Sequence, residues 1–408
     1  MSDKKFLLII GGPTASGKTT LAIRLARHFG TEILSCDSRQ FFKEMSIGTA
    51  KPSEEELTQA PHHFINSHSI QEEYSVGDYE KDAIALLDQL FKKHEVVILT
   101  GGSGLYQKAV CEGLDEFPQV SVAIRQKVEG WYAEEGLEGL QGRLKEVDPN
   151  YYAEVDRQNP HRLIRALAVF EASGQAFSTF RKNKQKVRPF VPIYLELSWD
   201  RKMLYQRINQ RVDLMMQNGL LDEVRQLYPH KHLSSLQTVG YQELFDYLDA
   251  HTSEEEAIEL IKRNSRRYAK RQLTWTRRDG YWKHFRPDEW EETLEYLQLA
   301  MKKDLQFRKV APSETLLKED PSLDHLIQYF SGKSEKIGQY RFSEKKYKIY
   351  HHLELNEAYW DSREEYFFLQ EIFLRLQNND QLRVPDRLKP FFIQKGLVSS
   401  SNFHLTKK

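Results

Sequence analysis

Near the start of the chain, Gly12, Pro13, Thr14, Ala15, Ser16, Gly17, Lys18 and Thr19 combine two glycines, a lysine and a hydroxyl at the spacing of a phosphate-binding P-loop. The glycines let the backbone turn tightly, so that successive N–H groups and the positive end of the following helix face one concavity. Lys18 adds a mobile positive charge, and Thr19 is the hydroxyl that such a loop offers to Mg²⁺. The loop does not say which phosphate it holds: nucleotides are the usual occupants, and any diphosphate ester satisfies the same N–H groups. Two further groups could do chemistry beside it. Asp37, in Asp37-Ser38-Arg39-Gln40, is a carboxylate able to accept a proton or to form a turn, and Ser103, in Gly101-Gly102-Ser103-Gly104, is a hydroxyl on a second glycine loop.

Each of these groups follows an apolar run that reads as a strand: Phe6 to Ile10 before the first loop, Glu32 to Ser35 before Asp37, and Val96 to Thr100 before Ser103. A helix is expected from Thr19 to His28. Short β-rich runs alternating with helical segments over residues 1–117 predict an α/β fold, a parallel sheet with helices on both faces. Ligands of such sheets sit beyond the carboxyl ends of the strands, so Asp37 and Ser103 should face the same cleft as Lys18. The strand Val96 to Thr100 ends in threonine and glycines, without the Mg²⁺-holding acid common in kinases and ATPases, which counts against nucleotide hydrolysis.

Residues 118–190 change to a helical, polar character and read as an insertion, because the strand-like Ile193 to Ser198 resumes the core over residues 191–304. In the insertion Arg162 and Arg165 lie one turn apart behind Asn159-Pro160, which suits a helix start. Later, Lys262 to Arg278 holds eight basic residues and no acidic one in seventeen. At helical spacing Arg263, Arg267 and Arg271 form one row and Lys262, Arg266 and Lys270 the next. Like charges one turn apart repel, so a polyanion such as a nucleic-acid backbone is the expected partner of this stripe. Residues 305–408 read as a small accessory region of unknown role, with a strand from Ser343 to His351, an apolar helix from Tyr366 to Leu376 and no catalytic constellation.

The chain has 408 residues, enough for two or three domains, and its 59 basic and 59 acidic residues cancel, so any polyanion site must come from local clustering. Two cysteines, Cys36 and Cys111, exclude a disulfide framework and a four-thiolate zinc site, and both are expected to be buried. A strand begins after five residues and no apolar run approaches the length of a membrane helix, so the expectation is a cytoplasmic monomer with no signal peptide and no membrane contact.

With these pieces named, residues 6 to about 300 resemble the tRNA dimethylallyltransferases, also called tRNA isopentenyltransferases, with an extra C-terminal region. The resemblance rests on GPTASGKT at Gly12 to Thr19, DSRQ at Asp37 to Gln40, IGTAKP at Ile47 to Pro52, APHH at Ala60 to His63, YSVGDY at Tyr74 to Tyr79, GGSGLY at Gly101 to Tyr106, QNPHR at Gln158 to Arg162, LQTVGY at Leu236 to Tyr241 and AKRQLTW at Ala269 to Trp275. It implies transfer of a dimethylallyl group from dimethylallyl diphosphate to N6 of the adenosine next to the anticodon, in the anticodon stem-loop of a tRNA. The occupant of the loop is then a prenyl diphosphate, with Mg²⁺ on Thr19. Asp37, Ser103 and Lys18 are the implied catalytic residues, Ser103 standing where the family usually has threonine. The implied tRNA contacts are Asp37, Ser38, Arg39, Gln40, Ser103, Arg125, Gln158, Asn159, Pro160, His161, Arg162, Arg266, Arg267, Lys270 and Arg271. Gln237 stands where some members carry an arginine; if that arginine supports the diphosphate, only a neutral hydrogen bond is expected here. With no cysteine after Cys111, the tail cannot be the zinc finger that eukaryotic members append.

Two other readings share some of these residues. A small-molecule kinase would place ATP on the same loop but leaves the basic stripe unused. An RNA-binding protein without activity explains the stripe but not Lys18, Thr19, Asp37 and Ser103 together.

Overall fold

The computed structural model of the chain describes residues 4–182, 186–279 and 282–303, and beyond these the backbone of seven strands between 306 and 407. In chain order the elements of the first part are β1 (Phe6–Gly11), α1 (Lys18–Phe29), β2 (Ile33–Ser35), α2 (Glu54–Gln59), β3 (His62–His63), α3 (Val76–Leu90), β4 (Val96–Thr100) and α4 (Gly104–Glu112). Four helices follow, α5 (Val122–Val147), α6 (Pro149–Glu154), α7 (Pro160–Ser173) and α8 (Phe177–Phe180). Then come β5 (Val191–Leu197), α9 (Arg201–Gln217), α10 (Leu220–Leu227), α11 (Gln242–Leu248), α12 (Glu254–Asp279), β6 (Lys283–Phe285) and α13 (Trp290–Lys303). The chain divides into two units, Lys108–Arg188 and the remainder.

The larger unit is built on a six-stranded sheet in the order β3-β2-β4-β1-β5-β6, and every neighbouring pair is parallel. The α/β class expected from the strand and helix runs is the class observed. Central strands of a parallel sheet are covered on both faces and therefore read as unbroken apolar runs. β1 follows that rule: Phe6, Leu8 and Ile10 pack with α1 and α13, and the alternate residues Leu7 and Ile9 are equally buried. The outer strands β3 and β6 carry no such run and went unread in the sequence.

A second core joins α9, α10, α11 and α12 through Val212, Val224, Tyr241, Phe245, Ala257 and Ile261. The loop 46–48 is tied to it by one carboxylate. Glu223 accepts the N–H groups of Ser46, Ile47 and Gly48 at 2.9, 2.7 and 3.0 Å and the Tyr241 hydroxyl at 2.6 Å. A Cβ on Gly48 would lie 2.5 Å from the Tyr241 ring, so only glycine fits there. Two of the motifs read from the sequence, at Ile47 to Pro52 and Leu236 to Tyr241, thus meet in one scaffold contact. Cys36 and Cys111 are both buried, as expected.

The unit Lys108–Arg188 has its own core, with Val128, Leu140, Leu144, Leu163 and Leu167 at its centre. α5 is broken at Gly136, whose φ of 66° lies in the left-handed region. Buried Asp148 is fully used: it caps α6 through the Tyr151 N–H at 2.9 Å and accepts from the backbone and hydroxyl of Ser178 at 2.7 and 2.8 Å. Asn159 caps α7 and Pro160 is its first residue, as the Asn-Pro pair predicts.

Beyond α13 the backbone forms β7 (Gln306–Val310), β8 (His325–Phe330), β9 (Lys336–Lys345), β10 (Lys348–Leu355), β11 (Gln381–Arg383), β12 (Leu397–Ser400) and β13 (His404–Lys407). They make a seven-stranded sheet in the order β12-β13-β11-β10-β9-β8-β7. The single strand expected from Ser343 to His351 is a correction: β9 and β10 pair antiparallel, Ser343 opposite Tyr350, so the expected strand runs across a reversal. The helix expected from Tyr366 to Leu376 lies outside the described residues.

Candidate active site

The glycine loop leaves β1 at Gly11 and enters α1 at Lys18. Gly12 and Gly17 have φ of 130° and 95°, which a side chain would oppose, and a Cβ on Gly12 would stand 2.9 Å from the Leu197 carbonyl of β5. The loop is held from outside as well as by its own turns. Trp199 Nε1 donates to the Ser16 carbonyl at 2.8 Å, and Arg207 Nε donates to the Ala15 carbonyl at 2.9 Å with its guanidinium 4.4 Å over the Trp199 ring. Arg211 Nη1 donates to the Thr14 hydroxyl at 2.9 Å.

Lys18 folds back over the loop and donates to the carbonyls of Gly12 and Pro13 at 3.0 and 2.8 Å. Burial, and after it the nearby Arg211 cation, lower its pKa to about 8, while Asp37 opposes the change. Burial likewise holds Arg211 below its ordinary value, again against the pull of Asp37. Lys18, Asp37 and Arg211 line one cleft of about 730 Å³, together with Thr19, Val212 and Met215.

Asp37 follows β2 and its Oδ1 accepts the Arg39 N–H at 3.0 Å, an Asx turn that aims the carboxylate. Arg39 is fixed by donating to the Ser235 carbonyl at 2.9 Å, and Gln40 by donating to the carbonyls of Thr49 and Ala50 at 3.3 and 3.2 Å. Ser103 starts the turn into α4, accepts the Ser38 N–H at 3.3 Å and donates to the Ser38 hydroxyl at 3.3 Å, with Tyr268 of α12 nearby. Burial, with Asp37 beside it, pushes the Tyr268 phenol up to about 12. The expected neighbours Lys18, Asp37 and Ser103 thus stand at the carboxyl ends of adjacent strands β1, β2 and β4.

Other expected residues sort differently. Arg125, Gln158, His161 and Arg162 belong to the helical unit, where they are exposed; the last two stand at the start of α7. On α12, Arg263, Arg267, Lys270 and Arg271 are exposed, but the uniform stripe needs correction. Lys262 pairs with Asp213 at 2.8 Å and Glu259 at 3.0 Å, and Arg266 donates to Asn209 at 2.6 Å. The acids and amide that absorb them come from α9 and from just before the stripe, which a window of seventeen residues cannot see. Gln237 is exposed; its Nε2 donates to the Lys231 carbonyl at 2.7 Å and its Oε1 accepts from Gln242 at 2.7 Å. Arg211, whose Nη1 reaches the Thr14 hydroxyl, is a further cation at the loop beside Lys18 and Arg207. Sequence reasoning missed it, along with Arg207 and Tyr268, although two arginines four apart on one helix face near Trp199 were a readable signal.

Among the described residues no group of three or more His, Cys, Asp or Glu could hold a metal ion, and no helix is long and apolar enough to cross a membrane.

A family model described as IPP transferase matches residues 40–279. The tRNA dimethylallyltransferase of Christiangramia forsetii is 55% identical over 284 residues, covering 70% of this chain and 94% of that protein. That of Flavobacterium johnsoniae is 52% identical over 287 residues, covering 69% and 93%. Among solved structures, the full-length tRNA isopentenylpyrophosphate transferase of Bacillus halodurans is 34% identical with a TM-score of 0.54, covering 73% of this chain and 96% of that one.

Proposed function

The chain belongs to the IPP transferase family, and on that premise we propose that it transfers a dimethylallyl group from dimethylallyl diphosphate to N6 of the adenosine 3′ of the anticodon in tRNA. The observation that carries this reading is one cleft holding a cationic anion cradle, made of the glycine loop, Lys18 and Arg211, together with the carboxylate of Asp37. A cradle alone binds phosphates. A carboxylate facing it adds a proton acceptor for a nucleophile brought to the same place.

In the proposed reaction the N6 nitrogen attacks the allylic carbon, the carbon–oxygen bond to the diphosphate breaks, and the diphosphate leaves with the bonding electrons. Asp37 accepts the N6 proton, so the amine does not acquire a lasting positive charge. Loop N–H groups, Lys18 and Arg211 meet the charge that grows on the leaving oxygens, in a site where donors already aimed need no reorganisation. Ser103, oriented by the N–H and hydroxyl of Ser38, offers a hydroxyl to the leaving oxygen. Val212 and Met215 offer an apolar wall for the prenyl group. The target base must leave the anticodon-loop stack to reach the cleft.

A divalent ion fits this donor set in one way. Thr19 lines the cleft, and the described residues supply no cluster of carboxylates, which suits Mg²⁺ carried mainly by substrate phosphate oxygens. Bound there, the ion would neutralise charge on the diphosphate.

The test is incubation of the purified protein with unmodified tRNA, Mg²⁺ and labelled dimethylallyl diphosphate, then nuclease digestion and mass analysis. A prenylated adenosine is expected. Phosphoryl release from ATP, with no prenylated nucleoside, would sink the reading in favour of a kinase.

The exposed row on α12 extends it to the RNA. Changing Arg267 and Arg271 together to glutamine should weaken tRNA binding and reduce the slope of log affinity against log salt by roughly 0.7–0.9 for each phosphate that is no longer neutralised. An unchanged slope in a filter-binding series would assign the row elsewhere.

A further inference from the structure

Gln272 lies on α12 one turn beyond Tyr268, inside a run that reads as pure charge, yet it is 8% exposed. Its side chain ends in two different loops. Oε1 accepts the Thr14 N–H of the glycine loop at 2.8 Å, and Nε2 donates to the Gly102 carbonyl, next to Ser103, at 2.9 Å. The amide orientation is fixed by its partners, because a backbone N–H can only donate and a carbonyl can only accept. Fit is tight as well: a Cβ on Gly102 would come within 2.2 Å of Nε2.

Thr14 is held twice, its N–H by Gln272 and its hydroxyl by Arg211. One turn further along α12, the Thr276 hydroxyl donates at 2.8 Å to Glu196, a buried carboxylate near the end of β5. α12 is therefore pinned above the sheet at two successive turns. The first pin joins the glycine loop to the Ser103 loop through a single side chain.

We propose that Gln272 is a positioning residue that sets the separation between the diphosphate loop and Ser103, acting through Thr14 and Gly102. This rests on the reading of the cleft as a prenyl-transfer site. Gln272 spends both of its polar ends on protein, so its contribution is geometric. A misplacement of about 1 Å between reacting groups can cost on the order of 100-fold in rate. The loop N–H groups not bonded to Gln272, and both Lys18 and Arg211, are left for the diphosphate when Gln272 is replaced, so turnover suffers more than donor binding.

The experiment uses the full-length protein and two variants. In Gln272→Leu both bonds are gone. Its kcat is expected to fall by about 10- to 100-fold, with the KM for dimethylallyl diphosphate, the Kd for inorganic pyrophosphate and the Kd for tRNA each within about threefold of wild type. Gln272→Glu gives the sharper readout. An ionised glutamate accepts from Thr14 but presents a negative oxygen to the Gly102 carbonyl; a protonated one donates there and reproduces the glutamine. The ratio of Gln272→Glu to wild-type kcat should therefore rise as the pH falls. A flat ratio, or a Gln272→Leu enzyme with wild-type kcat, overturns the proposal, and so does a loss confined to tRNA affinity. If Gln272→Leu does not fold, the pH ratio of Gln272→Glu still decides. Wild-type protein that binds pyrophosphate yet transfers no prenyl group overturns the function reading itself, an outcome separate from the others.

Discussion

Asp37→Ala is expected to lower prenyl transfer by about 10²–10⁴-fold, the range lost with a positioned general base, while tRNA affinity stays within a few fold. The physical case is the isolation of this carboxylate. It sits among Lys18, Arg39 and Arg211, and its Oδ1 is aimed by the Arg39 N–H. Among the described residues that line the cleft, the only other carboxylate is Glu56. Glu56 is committed to the cap of α2, where it accepts the Ser53 N–H at 2.9 Å. Asp37→Asn keeps the shape and the hydrogen-bond acceptor but not the basicity, so it should lose nearly as much. Single-turnover transfer measured beside tRNA binding checks both variants. Equal loss of binding and transfer would make Asp37 a scaffold residue of the Ser35–Gln40 turn.

Arg211→Ala is expected to raise the KM for dimethylallyl diphosphate by roughly 30- to 1,000-fold, the cost of about 2–4 kcal/mol for removing a buried charge partner. Arg211→Lys should recover only part of this, since a point charge cannot hold the Thr14 hydroxyl and the ligand in one planar fork. A second signature follows from Lys18. Its proton is lost near pH 8 in the free protein, so kcat/KM for the diphosphate should fall as the pH rises through that value. Arg211 is one cause of the lowering, and removing a neighbouring positive charge makes the ammonium form easier to keep. The alkaline limb should therefore move to higher pH in Arg211→Ala. A limb that stays in place would mean that Lys18 is not the titrating group.

The parts of this site that were legible in the sequence share one physical property. Lys18, Asp37 and Ser103 each stand on the short loop that leaves a buried parallel strand or at its end, and such strands announce themselves as apolar runs. Chain order alone then brings their ends to one side of the sheet. Arg207, Arg211 and Gln272 were hidden for the opposite reason. They sit on long polar helices, and a helix face that packs on a loop nearly two hundred residues away in sequence, as Arg207 does on Ala15, has the composition of a solvated one. Short edge strands fail for want of signal: β3 is the pair His62–His63, with no apolar residue at all. The charge stripe was overread, because Lys262 and Arg266 are neutralised or bonded by residues of another helix, and only the packed fold can reveal that.

The contact between Gly48 and Tyr241 bears on how the chain can change over generations. A ring packed against a bare Cα, with one carboxylate bonded to both segments, leaves neither position free to vary by itself. A larger residue at 48 would require a smaller one at 241, and a loss of Glu223 would strand three backbone donors and a phenol at once. Substitutions at these separated places are therefore expected to be inherited together or not at all.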